Sequence, residues 1–425
     1  MKNQIGNNIY SLIKKLYPIN RSITGDGNRL TLNIIKKIIP ELKILEYKSG
    51  TKVFDWEIPP EWNVSDAYIE VENKRIVDFK KNNLHLMSYS QPMNKYISLN
   101  ELKQHLFFYK DMPDAIPYKT SYYKKNWGFC VSYNFFKKLK KKKYKIVINS
   151  KFNNRGCLSI GEMLIKGKSK NEILISSNIC HPSLVNNELS GPTILTFIAK
   201  HLSEKKNFYS YRLLFLPETI GCITYLNKKL KEFKNKFIAG YHLTCFGDNG
   251  DFSIVNSKNN NSYSDKIAEL MLQTKKNKKK YSFLECGSDE RQFNYAGINL
   301  PVVALTRSLY GKFKEYHSSN DNLSIANPKS LNDSFNFIKD ILEVIEGDYK
   351  VFSKTICEPF LSKKNLYRSI NNNKTTIDER NMFNVLYYSD GRSISDISLI
   401  TKINPLEVIK IVNLLKENNI LLLKR

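Results

Sequence analysis

Apolar residues recur every three to four positions in YSLIKKLYPI (10–19), the period of a helix that buries one face. A polar, glycine-bearing stretch follows at 21–27. A second helix is predicted over 29–39 and ends at Pro40, which cannot continue it. From about residue 46 to 148 the period changes. Short β runs, interrupted by Pro59-Pro60 and rich in aromatic residues, predict a small β-rich domain. From about 144 to 351 apolar strands alternate with amphipathic helices. KYKIVINS, NEILISSNI, YRLLFLPE, FIAGYHLTCF and LPVVALTRS read as strands, and 192–202 and 265–274 as helices. YRLLFLPE is almost continuously apolar, as expected of a strand covered on both faces. The pattern therefore predicts an α/β fold: a mixed, mostly parallel sheet covered by helices, formed by 1–45 and 149–355, with the β-rich domain of 46–148 inserted.

The last segment, 376–425, reads as helix, turn, helix, helix and terminal strand, a small winged helix. With the asparagine run 371–373 as its linker, this domain is placed at 370–425.

Composition narrows the function classes. The chain has 425 residues, 41% of them hydrophobic, which is enough to bury a large core. It holds no apolar run of about 20 residues, so no membrane span is expected. The first twenty residues lack the features of a secretory signal, and the seven cysteines fall without paired spacing. A reduced, cytoplasmic setting is expected. The net charge of +27 comes mostly from lysine, with local runs at 137–143 and 275–280. These runs read as solvated loops. They lack the interleaved aromatics and arginines of a nucleic-acid surface. The candidate recognition helix, 405–417, has two lysines and no arginine, so nucleic acid is not the expected partner.

Three short segments stand where strands give way to loops: CHPSLVNNELSGP with His181, PETIG with Glu218, and YHSSNDNL with His317. Ligands of open α/β sheets bind beyond the carboxyl ends of the strands. Each residue alone has an ordinary structural reading, as a satisfied histidine or a strand-end carboxylate. Together they allow a metal or hydrolytic site. Cys180, Cys222, Cys245 and Cys286 lack metal-site spacing and read as core residues.

Most of the chain, in order, resembles the bacterial aminopeptidase-like proteins with a DUF4910/DUF2172 domain, a family linked with polysaccharide biosynthesis. The segments that carry the resemblance are PINRSITGDGNRLTL, VFDWEIPPEWNV, LHLMSYSQP, PDAIPYKTSYYKKNWGFC, CHPSLVNNELSGP, PETIG, GSDERQF and YHSSNDNL. More distantly, their order resembles the co-catalytic zinc aminopeptidases of the M28 type. The resemblance implies a zinc-exopeptidase-like core, a small inserted domain and a C-terminal winged helix.

It also implies roles. His181 matches the first histidine ligand and His317 the last. Asn187 falls where an aspartate bridges two zinc ions, and Glu218 where a general base stands. Thr219, Thr244 and Ser183 occupy positions of acidic residues. Two zinc ions bring a charge of +4 that this set cannot balance, so one zinc ion is expected rather than two. GSDERQF matches a pocket-lining loop, in which Asp289 or Glu290 would face an amine and Arg291 a carboxylate of the substrate. The activity implied is metal-dependent hydrolysis of an amide or peptide bond, in a small peptide-like or glycan-linked substrate. A non-catalytic binding protein on a degenerate peptidase scaffold and a winged-helix nucleic-acid binder are the alternatives. Oligomeric state is not legible.

Overall fold

A computed structural model of the chain describes residues 4–364, 366 and 378–425. The asparagine run 371–373 and the expected start of the winged segment at 370 lie outside the described residues. The chain forms two compact units, 1–260 with 279–335, and 261–278 with 336–425.

The first unit is built on an eight-stranded sheet. Its order is Lys43–Lys48, Cys157–Ile165, Ser210–Leu216, Glu172–Asn178, Phe237–Leu243, Val302–Thr306, Phe252–Val255 and Lys278–Tyr281. The four central strands, from Ser210–Leu216 to Val302–Thr306, run parallel. Antiparallel strands flank them on both sides. Every residue of Ser210–Leu216 and of Glu172–Asn178 is buried, and their buried polar groups are bonded: Ser176 Oγ to His242 Nδ1, Ser177 Oγ to Leu243 O and Asn178 Nδ2 to Ser288 Oγ. The one buried cation among them is Arg212, whose guanidinium reaches Glu172 at 2.6 Å, Tyr225 Oη at 2.9 Å and Glu162. A buried cation is tolerated because it is paired in full.

A second, antiparallel sheet, in the order Lys74–Asp78, Glu61–Val71, Lys143–Asn153 and Met93–Ser98, belongs to the same unit. KYKIVINS thus pairs with Glu61–Val71 and Met93–Ser98 and not with the central sheet. Both sheets share one apolar core: Ile69 and Ile146 from the small sheet lie in the same cluster as Leu158, Leu174 and Leu214 from the large one. Part of the lysine run expected as a loop, Lys278–Tyr281, is instead an edge strand with its three lysines exposed. Exposed lysines on an edge discourage pairing with another chain.

Helices Gln4–Leu16, Asp26–Lys36, Ser190–Ser203 and Ile220–Phe233 belong to this unit. Ser190–Ser203 is buried on nearly all sides. Its Gly191 lies so close to the sheet that an added Cβ would come within 2.5 Å of Leu243 O.

In the second unit, helices Glu379–Tyr387, Ile394–Thr401 and Pro405–Glu417 pack with the sheet Asp390–Ser393, Lys350–Ser353 and Leu421–Lys424 around Val385, Ile397, Val408 and Ile411. This is a winged helix whose sheet takes a strand from well before the helices. Among the described residues no helix is long and apolar enough to cross a membrane.

Candidate functional site

The carboxyl ends of the parallel strands supply the site. His181 follows Glu172–Asn178 by three residues, Glu218 follows Ser210–Leu216 by two, and Thr244 follows Phe237–Leu243 directly. His317 stands in the loop beyond Val302–Thr306. The structure brings the two imidazoles side by side, with ring centroids 5.2 Å apart. Tyr118 rests against both, at 4.7 and 5.2 Å, and Tyr316 stacks on His317 at 3.9 Å. Glu218 Oε2 lies 3.7 Å from His181 Nε2.

Backbone strain gathers around this edge. Ser183, Thr219, Cys245 and His317 all take positive φ, between 48° and 62°. Non-glycine residues are held in that region only where their surroundings fix them, often at functional sites.

The other ring nitrogen of His181 is held by a residue that sequence reasoning missed. Nδ1 is 2.9 Å from Glu188 Oε2. Glu188 Oε1 accepts the backbone N–H groups of Cys180 and His181, the latter at 2.9 Å. The resemblance put only Asn187 at this place. Residues Val185–Leu189 form a π-helical turn, and this wider turn lets consecutive Asn187 and Glu188 both line the cavity with His181. No sequence signal announced it. Asp321 fixes the turn by accepting N–H bonds from Val185, Asn186 and Asn187 at 3.1, 2.6 and 2.8 Å. Arg21, fully buried, donates from Nε to His181 O at 3.1 Å and from Nη1 to Leu16 O at 2.7 Å.

The electrostatics follow from burial and pairing. Burial pulls the His181 imidazole down, but Glu188 and Glu218 outweigh it and the net direction is up. Burial pushes Glu188 up, and His181 outweighs that, so its net direction is down. Burial, and then the charge of His181, push His317 down to about 3. His317 is therefore neutral, with a lone pair to offer. Burial raises Glu218 above the usual carboxylate range. Ser288 Oγ reaches Glu218 Oε1 at 3.4 Å and is itself held by Asn178 Nδ2 and His242 Nε2, each at 3.0 Å.

Asp289 and Glu290, expected to face a substrate amine, are engaged by groups of the fold. Both are 0% exposed. Asp289 accepts from the strained Thr219 N–H at 2.8 Å. Glu290 accepts from Gly287 N and Tyr310 Oη at 2.8 and 2.5 Å. They tie the GSDERQF loop to the fold. Arg291 stays partly exposed. It donates to Thr219 Oγ1 at 2.7 Å and to Ser288 O at 3.0 Å. Thr244 Oγ1 is bonded to Asn187 O at 3.1 Å.

Cys180, His181 and Glu188 place a sulfur, a nitrogen and an oxygen within 4.8 Å of one another. Burial pushes the Cys180 thiol well up, and its sulfur already accepts the Glu218 N–H at 3.2 Å. Glu188 orients His181 through Nδ1, and Nε2 is turned to the Glu218 side. Cys222 and Cys245 are buried, while Cys286 is only partly so.

Residues 10–348 match DUF4910, a domain of unknown function, and residues 350–423 match a winged helix-turn-helix family. A Clostridium acetobutylicum protein, described as a candidate polysaccharide biosynthesis protein with an aminopeptidase-like domain, is 46% identical over 92% of this chain and 90% of its own. A crystal structure of a candidate peptidase from Clostridium acetobutylicum superposes with a TM-score of 0.93 at 42% identity, over 100% of this chain and 97% of that one. The Bacillus subtilis zinc aminopeptidase BSAP shares the fold at a TM-score of 0.58 and 11% identity, covering 80% of this chain and 94% of that one. A peptidase M28 precursor from Shewanella amazonensis does so at 0.56 and 14%, covering 84% and 97%. The chain belongs to the DUF4910 family: an aminopeptidase-like α/β core followed by a winged helix-turn-helix.

Proposed function

We propose that this protein is a metal-dependent amide or peptide hydrolase, and that it works in the cytoplasm on a substrate of polysaccharide biosynthesis. One observation carries the reading: His181 gives Nδ1 to a buried carboxylate and turns Nε2 towards Glu218. Metal-binding histidines characteristically donate their second ring nitrogen to a carboxylate in this way.

The donor set fits one divalent ion such as zinc. His181 Nε2, the neutral imidazole of His317 and the side-chain oxygen of Asn187 would hold it. It does not fit two. Neutral Asn187 stands in place of an anionic bridge, and Thr219 and Thr244 bring no charge. The ion, when bound, would supply Lewis-acid activation of water. The chain's own residues supply the rest. Glu218, raised by burial and placed beside His181, takes a proton from water and returns it to the leaving amine. Ser288 holds Glu218 Oε1 through its hydroxyl. Arg21, Glu188 and Asp321 keep the histidine loop and the π turn in register. The polysaccharide link rests on the name of the Clostridium acetobutylicum relative.

The test is amine release from a panel of N-acyl sugars and short peptides. Turnover should stop in a chelator, return with zinc, and fall about 10²–10⁴-fold in Glu218→Gln. The absence of carboxylates at Asn187, Thr219 and Thr244 favours one other reading, a binding protein on a peptidase scaffold. Ligand capture without turnover in native protein would select it.

A further inference from the structure

Glu218 lines the small cavity with His181 and also a neighbouring cleft of about 740 Å³. A second cleft of about 750 Å³ shares Trp56, Arg291 and Gln292 with the first. At these residues the two adjoin as one groove, which has Glu218 in its lining.

Its charges are one-sided. Lys119, Lys124, Lys258 and Arg291 line it, against only Asp55 and Glu218. The other carboxylates nearby are engaged: Glu188 by His181 and two backbone N–H groups, Asp289 by Thr219 N, Glu290 by the loop and Tyr310. A substrate ammonium would meet only Asp55 and Glu218. A substrate carboxylate would meet Arg291, which is fixed by two neutral oxygens, Ser288 O and Thr219 Oγ1. A fixed guanidinium suits a carboxylate well.

The walls carry flat apolar faces. Phe54, Trp56 and Tyr123 are 58%, 42% and 50% exposed. Trp56 and Tyr123 brace each other edge to face at 6.0 Å, and Tyr123 Oη is anchored on Glu57 O at 2.8 Å. The polar side chains Ser121, Asn126 and Gln292 stand among them. Rings with hydroxyls and apolar faces match such a lining. A peptide strand would need a free backbone edge. In the wall 119–126, Lys119 O, Ser121 N and Asn126 O are already bonded to Ser88 N, Ser88 O and Gln91 N at 3.0, 3.1 and 2.9 Å.

We propose that this groove binds a carboxylate-bearing oligosaccharide, with one acidic group on Arg291 and sugar faces on Trp56 and Tyr123. The inference rests on the hydrolase reading only for which end of the groove is reactive. Trp62 and Trp127 are buried and Trp56 is exposed, so tryptophan emission of the full chain reports on the groove. Titration with tetragalacturonate should shift the emission to the blue and saturate, and salt should weaken the binding. Arg291→Gln should weaken it about tenfold or more. The Lys119→Gln/Lys124→Gln double variant, whose side chains are exposed, should weaken it several-fold. Glu218→Gln should bind at least as tightly as native, because it removes a negative charge. Maltotetraose should not bind. Equal binding of maltotetraose, no response to tetragalacturonate, or tighter binding of tetraglutamate would each overturn the proposal, the last in favour of an acidic peptide. None of these readings involves turnover, so the groove can fail while hydrolysis stands, and hydrolysis can fail while the groove stands.

Discussion

Replacing Glu188 by Gln changes one atom of the side chain and tests how His181 is presented. In the native site the oxygen 2.9 Å from Nδ1 is an acceptor, so Nδ1 keeps a proton and Nε2 is the nitrogen that gives up its proton to a metal. The amide in Glu188→Gln can still accept the N–H groups of Cys180 and His181 through its carbonyl oxygen. Its NH₂ then faces Nδ1 and donates, which moves the ring proton to Nε2. The protein loses one charge-assisted hydrogen bond, about 1.5–3 kcal/mol of stability. Zinc affinity should fall about 10–100-fold, equivalent to about 1.4–2.7 kcal/mol. Glu188→Ala also strands two buried N–H groups, so it should destabilise by about 1–3 kcal/mol more for each. The assay is zinc competition against a chromophoric chelator, with thermal unfolding in chelator as the control for folding. A Glu188→Gln protein that folds and binds zinc as tightly as native would refute the reasoning, because His181 would then not present Nε2.

Other outcomes follow from the same structure. Arg212→Ala leaves Glu162 and Glu172 facing each other without their buried cation; urea unfolding should show a loss of about 3–5 kcal/mol. Gly191→Ala drives a Cβ towards Leu243 O and Ser177 Oγ and should cost about 1–3 kcal/mol by the same measurement, with the strand ends at the site displaced. Arg29 holds the Glu61 carboxyl down to about 2, against an ordinary value of 4.5. A depressed carboxyl stabilises the fold above its unfolded pKa, so this contribution should be complete above about pH 4.5 and lost as pH falls towards 2. Solvent reaches Arg29, so about 1–2 kcal/mol is at stake. Glu61→Gln should flatten the acid limb of the stability profile, and an unchanged limb would exclude the pair as its cause.

The central strands were legible because burial on both faces favours apolar runs, as in 211–216 around Arg212 and the shorter 173–175. His181 and Glu218 were legible for the same reason, since each follows such a strand by two or three residues. Cys157–Ile165 was not read as a strand: its alternation is masked by Gly161 and Glu162, the latter paired with Arg212 across the sheet. The lysines of Lys278–Tyr281 hid an edge strand whose side chains all tolerate water. Glu188, Arg21 and Asp321 escaped because their work is done through backbone N–H and C=O groups, which leave no pattern in side-chain chemistry. The π turn at Val185–Leu189 shifts one residue relative to an α-helix, and linear spacing cannot register such a shift. The burial of Asp289 and Glu290 was not legible, because acidic residues in a loop imply exposure, whereas here Glu290 accepts the loop's own Gly287 and Ser288 N–H groups and Asp289 that of Thr219.

Metal content of the purified full chain tests the central claim most directly. Elemental analysis after zinc loading and desalting should give about one zinc per chain. That zinc should be kept in Glu218→Gln and lost in both His181→Ala and His317→Ala. Two ions per chain, or one ion that survives both histidine substitutions, would contradict the account.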